Sequence, residues 1–175
     1  LGVSDLPTPS PLSHAFVQAC VDIGMPHNPD FNSGKQEGAG LYQTTTKNGR
    51  RCSTVVAYLR PALKRPNLEL RTGVTVKRIV VEQGRAKAVE IVENGTVTRL
   101  EAASEIIVTS GAIGSPKLLM LSGIGPAQHL KSVGVGVVHD LAGVGENFHD
   151  HFSTDVVWQL NGAHSYDRYK KLHWQ

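Results

Sequence analysis

The stretch that decides the fold runs Glu105-Ile106-Ile107-Val108-Thr109-Ser110-Gly111-Ala112-Ile113-Gly114-Ser115-Pro116-Lys117-Leu118-Leu119-Met120-Leu121-Ser122-Gly123. Its first five residues are mostly apolar and do not alternate, which predicts a strand buried on both faces. Ser115 and Pro116 suit the N-cap and first position of a helix, Lys117–Leu121 its body, and Gly123 its stop. A glycine directly after a strand lets another group approach the backbone closely. The helix start adds free N–H groups at the positive end of the dipole. Together they favour a phosphate or a polarised cofactor group, although a plain, well-capped strand-to-helix turn has the same spacing.

Upstream, Val74–Glu82 is dense in β-branched residues, Gln83-Gly84-Arg85 turns the chain into Ala86–Val92, and Asn94-Gly95 is a strong hairpin dipeptide before Val97–Ala102. Residues 74–102 therefore read as an antiparallel three-strand meander. Downstream, Gly125-Pro126 opens a short helix that stops at Gly134, Val135–His139 is a short strand, and residues 142–151 form a glycine-rich loop.

Nearer the start, Ser10-Pro11 is an N-cap and first position, Leu12, Phe16, Cys20 and Ile23 share one face, and Gly24 ends the helix. Residues 25–50 look irregular, a length of loop that compact domains keep mainly for function. Ser53 caps a second helix reaching about Leu59, with Pro61 restarting the chain.

Composition narrows the class. A net charge of +3 with scattered basic residues speaks against a nucleic-acid surface. Two cysteines are too few for a disulfide scaffold or zinc ribbon and read as buried or half-buried thiols. No apolar run reaches the ~20 residues of a membrane span. The chain opens on Leu1 and stops at Gln175 in mid-pattern, so both ends look cut.

Three other chemistries lack the residues they need. The pairs Gly123-x-Gly125, Gly134-x-Gly136 and Gly143-x-Gly145 lack a third glycine, with Gln128, His139 and Phe148 in its place, and fail as a dinucleotide fingerprint. His149-Asp150-His151, near His139-Asp140, has no further spaced ligands, so no metal site is expected. Serine hydrolase chemistry lacks a Gly-x-Ser-x-Gly elbow. Trp158, Tyr166, Tyr169 and Trp174 read as packing residues.

At residues 111–125 the motif Gly111-Ala112-x-x-Ser115-Pro116-x-Leu118-Leu119-x-x-Ser122-Gly123-Ile124-Gly125 resembles the second signature of the glucose-methanol-choline (GMC) flavoprotein oxidoreductases at every defined position. Gly49-Arg50-Arg51-Cys52-Ser53 with Ala57-Tyr58-Leu59, Thr72-Gly73-Val74-Thr75-Val76-Lys77-Arg78-Ile79 and Gly143–His151 resemble its flanking segments. The likeness covers nearly the whole chain and is greatest to the choline dehydrogenase-like branch.

The resemblance implies an α/β protein, of α+β character in this stretch. Residues 1–151 would be part of an FAD/NAD(P)-binding-like domain with the meander, and 152–175 the start of a substrate-binding domain. It implies FAD as cofactor, a small-molecule alcohol as substrate, hydride transfer to flavin and an unassigned electron acceptor. It places the backbone of Val76 at the adenine end of FAD, Thr109, Ser110 and Gly111 near its phosphate and ribose, and Asn147 and His151 towards the flavin. The family's Gly-x-Gly-x-x-Gly segment and its C-terminal His base are absent from this sequence. An internal fragment is thus expected, with no catalytic residue of its own. The rival expectation is a non-catalytic piece that binds a nucleotide or a partner. Choline-oxidising members carry a carboxylate two residues after the Asp-His pair; Ser153 stands there, which favours a neutral alcohol.

Overall fold

The computed structural model describes residues 1–162. Chain contacts define two units, Leu1–Leu70 with the chain from Asp155, and Arg71–Thr154.

In the first unit, helix α1 (Pro11–Asp22) begins as expected, with Ser10 Oγ accepting the Leu12 N–H at 3.3 Å. Gly24 N–H reaches Val21 O and Met25 N–H reaches Cys20 O, so the helix closes in a Schellman motif. Its apolar face is not buried, however: Phe16 is 68% exposed and Ile23 81%. The segment after α1 is more ordered than expected. Asn28 is buried, its Nδ2 donating to the carbonyls of Lys35 (2.9 Å) and Glu37 (3.2 Å) while its Oδ1 accepts the Asp30 N–H. Strands β1 (Thr46–Lys47) and β2 (Arg50–Arg51) then form a hairpin around Asn48-Gly49, both residues at positive φ. This is the same turn chemistry as Asn94-Gly95, and it places a hairpin inside the stretch expected to be irregular. Ser53 Oγ caps the next helical segment through the Val56 N–H. A π-helical turn at Val55–Leu59 continues into α2 (Arg60–Ala62). Pro61 therefore lies in the continuous helical stretch rather than after it, two residues past the π-helical turn. Cys52 is buried and Cys20 half-buried, both free thiols.

In the second unit the meander forms as expected. Strands β3 (Thr75–Glu82), β4 (Arg85–Glu93) and β5 (Thr96–Glu101) pair antiparallel in that order. Gln83-Gly84 and Asn94-Gly95, all at positive φ, supply the two tight turns. Bulges fall between Val76 and Arg78 and between Val80 and Val81. Register places Arg78, Glu90 and Arg99 on one face. Arg78 grips Glu90 in a two-bond pair of 2.8 and 2.5 Å, while Arg99 meets Glu82 at 2.9 Å and Glu101 at 2.6 Å. Hydrogen bonding to Arg78 holds the Glu90 carboxyl below its ordinary value. Ile79, Ala88, Ile91, Leu130 and Val144 are the buried apolar residues of this unit.

The expected buried strand at 105–109 is not one. The run is unpaired and Ile107 is 76% exposed. An unalternating apolar run becomes a two-sided buried strand only where strands flank it and layers cover it, and no described residues do so. Helix α3 also differs, running Gly111–Leu121 with Pro116 inside it. Ser115 and Pro116 imitate a cap pair, but the chain has already turned at Gly111, where φ is +82°. After α3 come β6 (Ile124–Gly125), α4 (Ala127–Ser132) and β7 (His139–Asp140). The expected strand at 135–139 shrinks to β7, which pairs parallel to β6. From Phe152 the described chain is unpaired and Trp158 is exposed; Tyr166, Tyr169 and Trp174 lie outside the described residues.

Candidate functional site

The site is built on the two ends of α3. At its start, Gly111 reverses the chain, and Ser115 Oγ reaches back to accept the Ser110 N–H at 3.0 Å. The Ser110 side chain makes no capping bond. The first N–H groups of a helix have no intrahelical acceptor, so Gly111, Ala112 and Ile113 leave their donors at the positive end of the dipole. Pro116 lacks the N–H that would bond to the Ala112 carbonyl.

Below that start, α3 presents Ile113, Pro116, Lys117, Met120 and Leu121, a run at helical spacing, to a cleft of about 580 Å³. Its other walls come from α4 and the loop carrying Gly145–His149. Leu130, fully buried, anchors α4. Asp140 Oδ1 accepts the Ala127 N–H at 2.9 Å and so caps α4 from thirteen residues downstream. The His139-Asp140 pair thus has a structural use. Lys117, His129, Glu146 and His149 line the cleft beside its apolar residues.

Of the six residues expected at a cofactor, Asn147 lines this cleft. Thr109, Ser110 and Gly111 lead directly into the α3 residues that line it, Ala112 and Ile113. Val76 lies on β3 opposite Ile91, 43% exposed and next to a bulge. His151 is exposed and off the cleft, its backbone N–H bonded to Asp150 Oδ1 at 2.7 Å. The cleft therefore brings Ala112 and Ile113, just after Gly111, together with Asn147, and its lining does not include Thr109, Ser110, Gly111, Val76 or His151. Among the described residues no three His, Cys, Asp or Glu side chains gather as a metal would require. No described helix is long and apolar enough to cross a membrane. Sequence reasoning missed Lys117, Met120 and His129. The signal was present on α3, where 113, 116, 117 and 120 follow a helical period, but the period does not tell that α4 and the Gly145–His149 loop face those residues.

Comparison with known proteins bears on this site. A family model described as GMC oxidoreductase matches residues 1–153. The oxygen-dependent choline dehydrogenase of Rhizobium meliloti (strain 1021) is 51% identical over 91 residues, 52% of this chain and 16% of that protein. The alcohol dehydrogenase [acceptor] of Pseudomonas putida is 40% identical over 93 residues, 53% of this chain and 17% of its own length. Among solved structures, pyridoxine 4-oxidase from Mesorbium loti matches with a TM-score of 0.74 at 34% identity, over 80% of this chain and 28% of that one. An FAD-dependent oxidoreductase from Chaetomium thermophilum matches with a TM-score of 0.76 at 27% identity, over 81% and 25%. The chain thus spans about a sixth of the curated relatives' length.

Proposed function

The chain belongs to the GMC oxidoreductases, and from that membership we propose that it is the cofactor-side portion of an FAD-dependent enzyme oxidising a primary alcohol. In this reading residues 1–151 are part of the FAD-binding domain and 152–175 open the substrate-binding domain. The family match ending at residue 153 supports that division.

The start of α3 carries the cofactor assignment. Gly111 adopts φ +82°, and a Cβ built on it meets nothing within 4 Å. A group can therefore approach the backbone there, beside first-turn donors that suit phosphate oxygens. Thr109, Ser110 and Gly111 would hold the phosphate and ribose region, with the dipole favouring its charge by ~0.3–1 kcal/mol. The Val76 backbone would meet the adenine end; the neighbouring bulge, which interrupts the ladder, supports this. Asn147 and His151 would lie towards the flavin. FAD, when bound, supplies the hydride acceptor for alcohol oxidation. The chain's own residues bind and orient.

Relatives named for choline and for alcohol dehydrogenation support an alcohol substrate. Ser153 favours a neutral one over choline. The test is to purify the complete gene product, record its flavin spectrum, and assay benzyl alcohol and choline with dye and with oxygen as acceptors. Bound flavin with turnover of the neutral alcohol supports the reading. A protein that takes up no FAD overturns it, and turnover of choline alone overturns the substrate assignment.

A further inference from the structure

Ser122 follows the last residue of α3 and is 6% exposed. Its hydroxyl donates to the Leu118 carbonyl at 2.6 Å, so its proton is committed within the helix end. Its lone pair accepts the backbone N–H of Ile79 at 2.8 Å. Ile79 is itself buried and lies in the middle of β3, between the two bulges. One buried hydroxyl therefore joins the end of α3 to β3, forty-three residues away in sequence.

Apolar packing alone resists separation of a helix from a strand but resists sliding weakly, because it is non-directional. A buried hydrogen bond fixes one atom against one atom. Val76 lies three residues before Ile79 on β3, and Gly111 lies at the far end of α3, ~16 Å away at the helical rise per residue. Pinning the near end of a stiff rod to β3 sets where its far end stands relative to Val76.

We propose that Ser122 is a positioning residue for the cofactor, holding the Gly111 turn at the correct offset from the Val76 backbone through Ile79. The inference rests on the FAD reading above. Ser122 touches no cofactor; it acts through α3.

The experiment measures FAD affinity of the complete gene product, stripped and reconstituted, alongside the melting temperature of each apoprotein. The variants are Ser122→Ala, Ser122→Cys and Ala88→Gly, the last at a buried β4 residue paired with Val80 and Glu101 rather than with Val76. Ser122→Ala should weaken FAD binding about tenfold, the order of effect of a residue that acts on a site without touching the ligand. Ala88→Gly should lower melting yet keep wild-type affinity. Ser122→Cys, which keeps a weaker donor and acceptor, should fall between the wild type and Ser122→Ala. If Ser122→Ala does not fold, the cysteine variant decides alone: weakened affinity at near wild-type melting supports the inference, and unchanged affinity overturns it. Equal affinity losses in Ser122→Ala and Ala88→Gly at matched melting also overturn it. Wild-type protein that binds no FAD overturns the cofactor reading and this inference together.

Discussion

Gly123 and Val138 are bound backbone to backbone: the Gly123 carbonyl accepts the Val138 N–H at 2.8 Å. The same carbonyl also accepts the His139 N–H at 3.1 Å. This contact brings the segments so close that a Cβ on Gly123 would lie 2.5 Å from the Gly136 carbonyl oxygen and 2.7 Å from Val138 Cγ2. Gly123 is therefore more than a helix stop. It ends α3 at φ +81° and lets the parallel β6–β7 pair form beside that end.

Gly134 ends α4 with a comparable φ of +75°, but a Cβ there meets nothing within 4 Å. Gly134→Ala should cost about 1 kcal/mol, the conformational term alone. Gly123→Ala should cost about 2–4 kcal/mol, because overpacking adds to that term. Urea denaturation of both variants measures the difference. Equal losses would remove the close approach from the account.

Asn28 satisfies three backbone groups with one buried amide. Asn28→Ala should destabilise the chain by about 2–3 kcal/mol, since it removes three hydrogen bonds made by one buried side chain. It should also speed proteolysis between residues 29 and 38, while cleavage elsewhere is unaffected. A variant with wild-type melting and cleavage would show that other contacts hold the loop.

Glu90 titrates below its ordinary value because Arg78 hydrogen-bonds its charged form. A depressed native value means the contribution is complete above the unfolded glutamate value, about 4.3, and fades as pH falls through the native one. Glu90→Gln should thus lower the melting temperature at neutral pH, with the gap to wild type closing in acid. High salt should narrow the neutral-pH gap, the pair being solvent-exposed. A gap independent of pH would contradict the ion-pair origin.

The isolated 175-residue chain should not oxidise alcohols with added FAD and a dye acceptor. The resemblance implies a Gly-x-Gly-x-x-Gly segment and a C-terminal histidine base that this sequence does not carry, and loss of a general base alone removes ~10²–10⁴-fold in rate. Turnover proportional to the amount of purified chain would refute this.

Much of the fold could be read where local chemistry decides it. Asn94-Gly95 and Gln83-Gly84 turn the meander, and Ser10-Pro11 with Gly24 bounds α1, because the determinants lie within a few residues of one another. Reading failed where the deciding partner is distant. Nothing near Glu105–Thr109 reveals whether neighbouring strands cover it, and nothing in His139-Asp140 announces that Asp140 will cap α4. Ser115-Pro116 misled because it is a good local helix start overruled by the turn at Gly111. The helices that carry the cleft residues Lys117, Met120 and His129 were legible, but that α3, α4 and the Gly145–His149 loop wall one cleft depends on contacts between segments far apart in sequence.

The most direct test of the central claim, that the α3 start holds FAD, uses Gly111→Val in the complete gene product with Gly134→Val as control. Both glycines have positive φ and open space for a Cβ, so their backbone strain is alike. The measurement is the flavin-to-protein absorbance ratio after reconstitution, set beside apoprotein melting. The account predicts similar melting losses in the two variants, with flavin content falling several-fold in Gly111→Val alone. Full flavin in Gly111→Val, or equal flavin loss in both, would contradict it.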